Sequence, residues 1–256
     1  MATLQVSGMK EIFANSSNGS LLNPRQIATD WETQGFFVMN HLFSDEECDI
    51  FKCETIRVLA EHARPGATVH VGCSAVSKAF DRLAEHPLLV EALAVVMPNG
   101  IEFMSDKIVY KKPGKSFATP LHIDAWYWKN TRPKLSVWIP LEDTSRVNGT
   151  LTVVPGSHRC EWTKVVRAGI NGGEFAVELA DTEATTVSPL ICELHRGDAV
   201  VFSDRVLHGS TASEGQNERF AIIGTYHAPG HEPQDDDYAA RKVLREPCRD
   251  PGSRVL

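Results

Sequence analysis

Apolar positions change their spacing along this chain near residue 100. Before it they recur at helical intervals; after it they form short runs of strand length. Asn23-Pro24 predicts a helix start, with Asn23 as cap and Pro24 in the first turn. That helix should fade near Gln34-Gly35 and give way to a short buried strand, Phe36-Phe37-Val38-Met39. Ser44-Asp45-Glu46-Glu47 has the form of a capping box, and Phe43 and Cys48 are placed for a hydrophobic staple on a helix to about His62. Residues 64–80, with Pro65, Gly66 and Gly72, read as irregular. A third helix is predicted from Pro87 to Val96, where Leu88, Leu89, Leu93 and Val96 share a face.

After Pro98-Asn99-Gly100, β-type runs are predicted at 101–112, 119–124, 135–141, 150–154, 190–195, 198–203 and 219–227. Asn148-Gly149 reads as a two-residue hairpin, and Arg196-Gly197-Asp198 as another tight turn. Asp235-Asp236-Asp237 is placed to cap a last helix through about Leu244. Residues 1–20 are expected to be flexible, and the tail with Pro247, Pro251 and Gly252 irregular. Many short strands at this spacing indicate a mainly β sandwich or barrel, and the absence of repeats and linkers indicates one domain, residues 1–256.

Composition narrows the function. The 256 residues are 42 % hydrophobic and 23 % charged, an ordinary globular balance. The net charge is −7, from 26 Lys+Arg against 33 Asp+Glu, with no long basic run. Nucleic-acid binding requires cations along the phosphates, so a small-molecule substrate is the better expectation. Six cysteines form no CxxC pair, which fits free thiols in a reducing cytoplasm. The start of the chain has no basic stretch leading into an apolar one, and no run approaches a membrane span. Asn15-Ser16-Ser17 and Asn148-Gly149-Thr150 match glycosylation sequons that matter only in a secreted protein. Oligomeric state is not legible.

The candidate chemistry starts at Leu121-His122-Ile123-Asp124. On a strand, residues two apart point the same way, so His122 and Asp124 present an imidazole and a carboxylate together. Such pairs are common by chance. A third ligand is available in His208, just beyond the apolar run Ala199 to Phe202. Two His and one carboxylate on one face of a metal form the facial triad of non-haem Fe(II) oxygenases. Arg219 follows eleven residues later and opens the run Arg219-Phe220-Ala221-Ile222-Ile223. Pointing inward, it needs an anion and can grip a carboxylate with two hydrogen bonds; pointing outward, it would pair with Glu218 or another surface acid.

In these residues the chain resembles the phytanoyl-CoA dioxygenase-like family of Fe(II)/2-oxoglutarate oxygenases. The matching pieces run in order: Tyr110-Lys111-Lys112-Pro113-Gly114, His122-Ile123-Asp124, Val137 to Asp143, Asn148-Gly149-Thr150-Leu151, Val154-Pro155-Gly156-Ser157-His158, Gly197 to Phe202, His208-Gly209-Ser210 and Arg219. The resemblance implies a double-stranded β-helix, a jelly-roll, cupin-like barrel at about 101–227, with the N-terminal helices packed outside. It implies Fe(II) held by His122, Asp124 and His208, 2-oxoglutarate anchored by Arg219 with Ser210 and Trp138 nearby, and O2 as co-substrate. The activity implied is oxidation of a C–H bond with release of succinate and CO2. Asp124 stands where related halogenases have Gly or Ala, so hydroxylation is the default; desaturation, ring formation and epoxidation use the same ligands.

Other positions stay open at this level. Trp138 either lines the co-substrate pocket or packs in the core, since alternation separates Ser136, Trp138 and Pro140 from Leu135, Val137 and Ile139 without choosing a side. Trp126, Tyr127 and Trp128 either wall a substrate pocket or pack the barrel end. Lys129 and Arg132 are loop charges that could meet an anionic substrate, and residues 64–80 a possible lid. His158, and His227 with His231, are decoys for metal binding. The chain ends Ser253-Arg254-Val255-Leu256, unlike a peroxisomal signal, so the reaction that names the family is not expected. The competing classes are a non-oxidative metal enzyme using zinc or manganese, and a binding protein without turnover.

Overall fold

A computed structural model describes residues 23–113, 118–128, 131–170, 175–230 and 242–247. The expected flexible start, the Asp235–Asp237 cap, Lys129, His231 and the irregular tail beyond residue 247 lie outside these residues.

The predicted caps form. Helix α1 (Pro24–Gln34) begins with the Asn23 side chain accepting from the Gln26 amide, and stops at Gly35, whose φ of 83° is left-handed. Helix α2 (Asp45–His62) carries the full Ser44–Glu47 capping box, and Phe43 and Cys48 are buried in one cluster. Strand β1 (Phe36–Met39) lies between α1 and α2. Residues 64–80 are more ordered than expected. They contain strand β2 (Val69–Val71), a 3-10 turn (Cys73–Ala75) and the start of α3 (Lys78–Ala84), capped by Ser77. Helix α4 (Pro87–Val96) is as predicted, burying Leu89, Ala92 and Leu93.

The rest is antiparallel sheet: β3 (Ile101–Lys111), β4 (Thr119–His122), β5 (Lys134–Pro140), β6 (Leu151–Val153), β7 (Lys164–Ile170), β8 (Phe175–Leu179), β9 (Leu190–Ile191), β10 (Ala199–Ser203), β11 (His208–Ser210), β12 (Arg219–His227) and β13 (Lys242–Arg245), with a short helix α5 (Asp181–Ala184) before β9. A large sheet runs β1-β10-β5-β12-β3-β13 with β2 also on β3. A smaller one runs β4-β11-β6-β9, and β7 pairs with β8 alone. The helix predicted through Leu244 is corrected: Lys242–Arg245 is an edge strand on β3. The predicted Asn148-Gly149 hairpin is corrected too. Gly149 is left-handed (φ 86°), but β5 and β6, on either side, belong to different sheets. The turn carries the chain from one sheet to the other.

Burial alternates residue by residue on the large sheet. Phe37, Val137, Val201 and Ile222 join the core beneath the helices. Phe36, Trp138, Val200 and Ile223 join a second core inside the barrel. The sheet is covered on both faces, which is why its strands read as continuous apolar runs instead of alternating with polar residues. The fold is the expected mainly β, double-stranded β-helix with helices outside.

Candidate active site

His122 is the last residue of β4, and register sets His208, the first residue of β11, directly opposite it. The two rings are 4.2 Å apart. After His122 the chain stays extended through Ile123 and turns into a 3-10 segment, Asp124–Trp126. The strand expected over 119–124 therefore ends at His122, yet Asp124 remains beside it. Asp124 Oδ1 lies 3.8 Å from His122 Nε2 and 3.7 Å from His208 Nε2. All three residues are buried, and among the described residues their ligand atoms fall within 4.8 Å of one another. Ligand atoms around a metal bound at about 2 Å lie roughly 3 to 4 Å apart, so this donor set fits a metal.

The protonation pattern also fits. His122 Nδ1 is 2.8 Å from the Pro120 carbonyl, and His208 Nδ1 is 3.0 Å from the Val206 carbonyl. A carbonyl only accepts, so each Nδ1 carries the hydrogen and each Nε2 keeps its lone pair for a metal. Burial lowers both imidazole pKa values and favours the neutral, ligating form. Asp124 Oδ2 accepts a 2.9 Å hydrogen bond from Ser136 Oγ. Ser136 was not singled out in the sequence as a site residue; its place two positions before Trp138 was the available signal.

A cavity of about 770 Å³ opens from this cluster between the two sheets. Arg219 lies in its wall, 3 % exposed, at the start of β12. Nη1 donates to the Val109 carbonyl (3.3 Å) and Nη2 to the Gly149 carbonyl (3.0 Å). Its Nε is buried and has no hydrogen-bond partner among the described residues. Glu142, the nearest countercharge, is committed elsewhere, to Lys52 at 2.7 Å and the Phe220 amide at 2.9 Å. Burial pulls the Arg219 pKa down to about 10. Arg219 is thus the inward cation, while Glu218 faces Lys112. The Asn148-Gly149 turn supplies a carbonyl that holds it.

Ser210 and Trp138 line the same cavity. Ser210 Oγ donates to Thr119 Oγ1 at 2.8 Å. The Trp138 ring sits 5.6 Å from the Arg219 guanidinium carbon, and its other contacts are in the inner core, so Trp138 both lines the cavity and packs in that core. Tyr127 and Trp128 line the cavity, Tyr127 with its ring edge to His122 at 6.0 Å. Trp126 does not line it: the 3-10 turn breaks strand alternation and packs it against the cluster of Ile123, Val154, Leu179 and Leu207. Arg132 donates to the Ala228 carbonyl at 3.0 Å. His158 Nε2 lies 3.3 Å from the Glu32 carbonyl, under α1 and away from the triad. His227 is fully buried, with Nδ1 against the Ala228 carbonyl. Part of the expected lid, including Arg64 and Val69 to Val71, borders the cavity.

Fold and site together define a jelly-roll protein with a buried His-X-Asp…His centre at the mouth of its barrel. The family model for phytanoyl-CoA dioxygenase (PhyH) matches residues 31–221, about three quarters of the chain. This chain belongs to that family. It is 27 % identical over 226 residues to the peroxisomal phytanoyl-CoA dioxygenase of Mus musculus, covering 75 % of this chain and 64 % of the mouse protein. It is 29 % identical over 166 residues to ectoine dioxygenase of Bordetella bronchiseptica, covering 58 % and 53 %. The matches span less than two thirds of either relative's length. The epimerase SnoN, solved with Fe3+, alpha ketoglutarate and nogalamycin RO, shares the fold at a TM-score of 0.67 and 19 % identity, over 79 % of this chain and 82 % of SnoN. Among the described residues no helix is long and apolar enough to cross a membrane.

Proposed function

We propose that this chain is an Fe(II)/2-oxoglutarate-dependent dioxygenase that hydroxylates an unactivated C–H bond of a small-molecule metabolite. One observation carries the reading: Arg219, a buried cation with an unpartnered Nε, shares a cavity with a cluster of two neutral imidazoles and one carboxylate. A zinc or manganese hydrolase would need the cluster but not the Arg. His122, Asp124 and His208 would hold the metal; Arg219, Ser210 and Trp138 would hold 2-oxoglutarate. When bound, the metal couples O2 and the decarboxylation of 2-oxoglutarate to succinate and CO2 with oxidation of the substrate. The protein's part is positional. Two carbonyls orient the imidazoles, Ser136 orients Asp124, and Phe202 and Ile223 keep the adjoining wall dry.

Anaerobic addition of Fe(II) and 2-oxoglutarate tests this. We expect a weak visible charge-transfer band, and succinate on admitting air; absence of both sinks the reading. The likeness to an epimerase supports keeping desaturation, ring closure and epoxidation as second outcomes of the same ligand set. Product mass separates hydroxylation or epoxidation from desaturation. The five described cysteines are all free, three of them buried, which supports a reducing compartment, the cytoplasm in the simplest case. A redox-sensitive reporter fused to the chain checks the compartment. One core cluster joins the helices to the large sheet, which supports a single domain; limited proteolysis that released a stable barrel without its helices would count against it.

A further inference from the structure

Charge divides the cavity along its length, and the strand register shows where. Lys111 pairs with Arg219, Lys107 with Ile223 and Ser105 with Thr225, at successive levels of β3 and β12. Ile223 is level with Trp138 of β5, and Thr225 with Ser136. Ser136 bonds Asp124. Phe202, also level with Ser136, packs on the His208 ring at 4.6 Å. The metal cluster therefore stands at the level of Ser105, Thr225 and Ser136.

Among the described residues, every charged lining side chain except Asp124 lies on the Arg219 side of that level. Lys107, Lys111 and Arg219 are placed there by register. Arg64 also borders a surface groove with Lys112 and Phe220, which sets it at the Arg219 end. Asp106 is opposite Gly224, with its carboxylate bonded by the Ser74 amide at 3.0 and 3.2 Å. Lys107 is drawn to Asp124, whose ionised form it stabilises. Of the lining histidines outside the cluster, His70 is opposite Ile108 and His62 stacks on it at 6.4 Å.

Past the metal level the lining is neutral. Strand β3 bulges there: Thr225 faces Ser105 and Tyr226 faces Phe103, so Met104 is the extra residue between them. A bulge re-aims a side chain. Phe103 packs beneath the helices, whereas Met104, only 2 % exposed, belongs to none of the apolar cores and lines the cavity. Trp128 is placed on the same side by Lys134, which pairs with His227, two residues past Thr225. The Lys134 ammonium lies 5.6 Å from the Trp128 ring centroid and steadies the indole, which borders the cavity.

The next step rests on the oxygenase reading. The Arg219 guanidinium leans to within 5.6 Å of Trp138, one level from the metal. A 2-oxoglutarate reaching from it to the metal fills the cationic side. The C–H bond to be oxidised then comes to the metal from the neutral side, past Met104 and Trp128. A charged group there would lose its water without gaining a counterion.

We propose that Met104 and Trp128 form the specificity wall of the substrate site, and that the part of the substrate bearing the reacting C–H bond is uncharged and apolar, a saturated ring or a branched chain. The flexible thioether moulds itself to that group against the fixed indole.

The test is calorimetric titration, under anaerobic conditions, of protein loaded with Fe(II) and saturating 2-oxoglutarate, so that Arg219 is occupied. The probes are cyclohexylmethanol and two charged analogues of similar shape, cyclohexanecarboxylate and cyclohexylmethylammonium. Wild type should bind the alcohol at least about tenfold more tightly than either ion. Met104→Ala should weaken the alcohol about tenfold and Met104→Leu should keep its affinity. Trp128→Ala, at a half-buried position, should also weaken it and does not depend on how the bulge tolerates change. No measurable binding of the alcohol, an ion bound as tightly by wild type, or unchanged affinity in both alanine variants overturns the proposal. The charge-transfer band keeps the two readings distinguishable. Its absence in wild type defeats the oxygenase reading itself. Its loss only in Met104→Ala and Trp128→Ala overturns the present proposal, by making both residues supports of the metal site.

Discussion

Ser136 Oγ donates a 2.9 Å hydrogen bond to Asp124 Oδ2, the carboxylate oxygen turned away from the two imidazoles. The bond leaves Oδ1 for the metal and fixes the plane of the carboxylate. Loss of such a supporting bond typically weakens metal binding by about 10- to 100-fold. We expect Ser136→Ala to weaken Fe(II) binding about tenfold, measured by competition with a chelating dye, while the melting temperature changes little. Unchanged affinity would mean that strand geometry alone orients Asp124.

Arg219→Ala should separate co-substrate from metal. Truncating one partner of a buried charge pair costs about 2 to 4 kcal/mol, roughly 30- to 1,000-fold in Kd. That loss should appear in 2-oxoglutarate binding, with Fe(II) binding nearly intact. Equal loss of both would make Arg219 a structural cation.

Gly209 lies between His208 and Ser210, where β11 approaches β4 closely. A Cβ there would come within 2.5 Å of the Thr119 carbonyl oxygen. Gly209→Ala must push the two strands apart, and with them His208 and His122. Overpacking of this kind costs about 1 to 3 kcal/mol, or roughly 3 to 10 °C in melting temperature for a chain of this size. Metal binding should weaken in parallel; a variant with full metal affinity and an unchanged melt would refute the account.

Asp106 gives a pH signature. Burial raises its pKa from the usual carboxylate range to about 6. The folded state therefore holds this proton more tightly than the unfolded state. Stability from this group is lost as pH rises from about 4 to 6, and the loss is constant above that. The shift corresponds to about 3 kcal/mol at most. Asp106→Asn should keep one acceptor for the Ser74 amide and remove the charge. Its stability relative to wild type should climb across pH 4–6 in denaturant titrations and then level off. A flat difference across that range would show that Asp106 ionises freely in the fold.

Local signals were legible and juxtapositions were not. Asn23-Pro24, the Ser44–Glu47 box and Pro87 each mark a helix start through bonds within one turn, and the helices begin there. His122 and Asp124 were visible as a pair because two residues suffice to put them together. His208 comes opposite His122 only through pairing of β11 with β4, and β11, three residues long, has too little pattern to announce itself. Asn148-Gly149 misled because the hairpin rule presumes flanking strands that pair with each other. Trp126 left the expected face because a 3-10 turn began at Asp124.

The two histidines are each pinned by the carbonyl two residues upstream, Pro120 for His122 and Val206 for His208. Neither anchor involves the ion. The imidazoles are held in register by the chain's own backbone before anything binds, and the His208 ring also packs on Phe202 of the inner core, 4.6 Å away. Chelation should therefore yield a protein that still melts cooperatively and can be reloaded without refolding. A preparation that loses its iron to oxidation would be repaired by exchange.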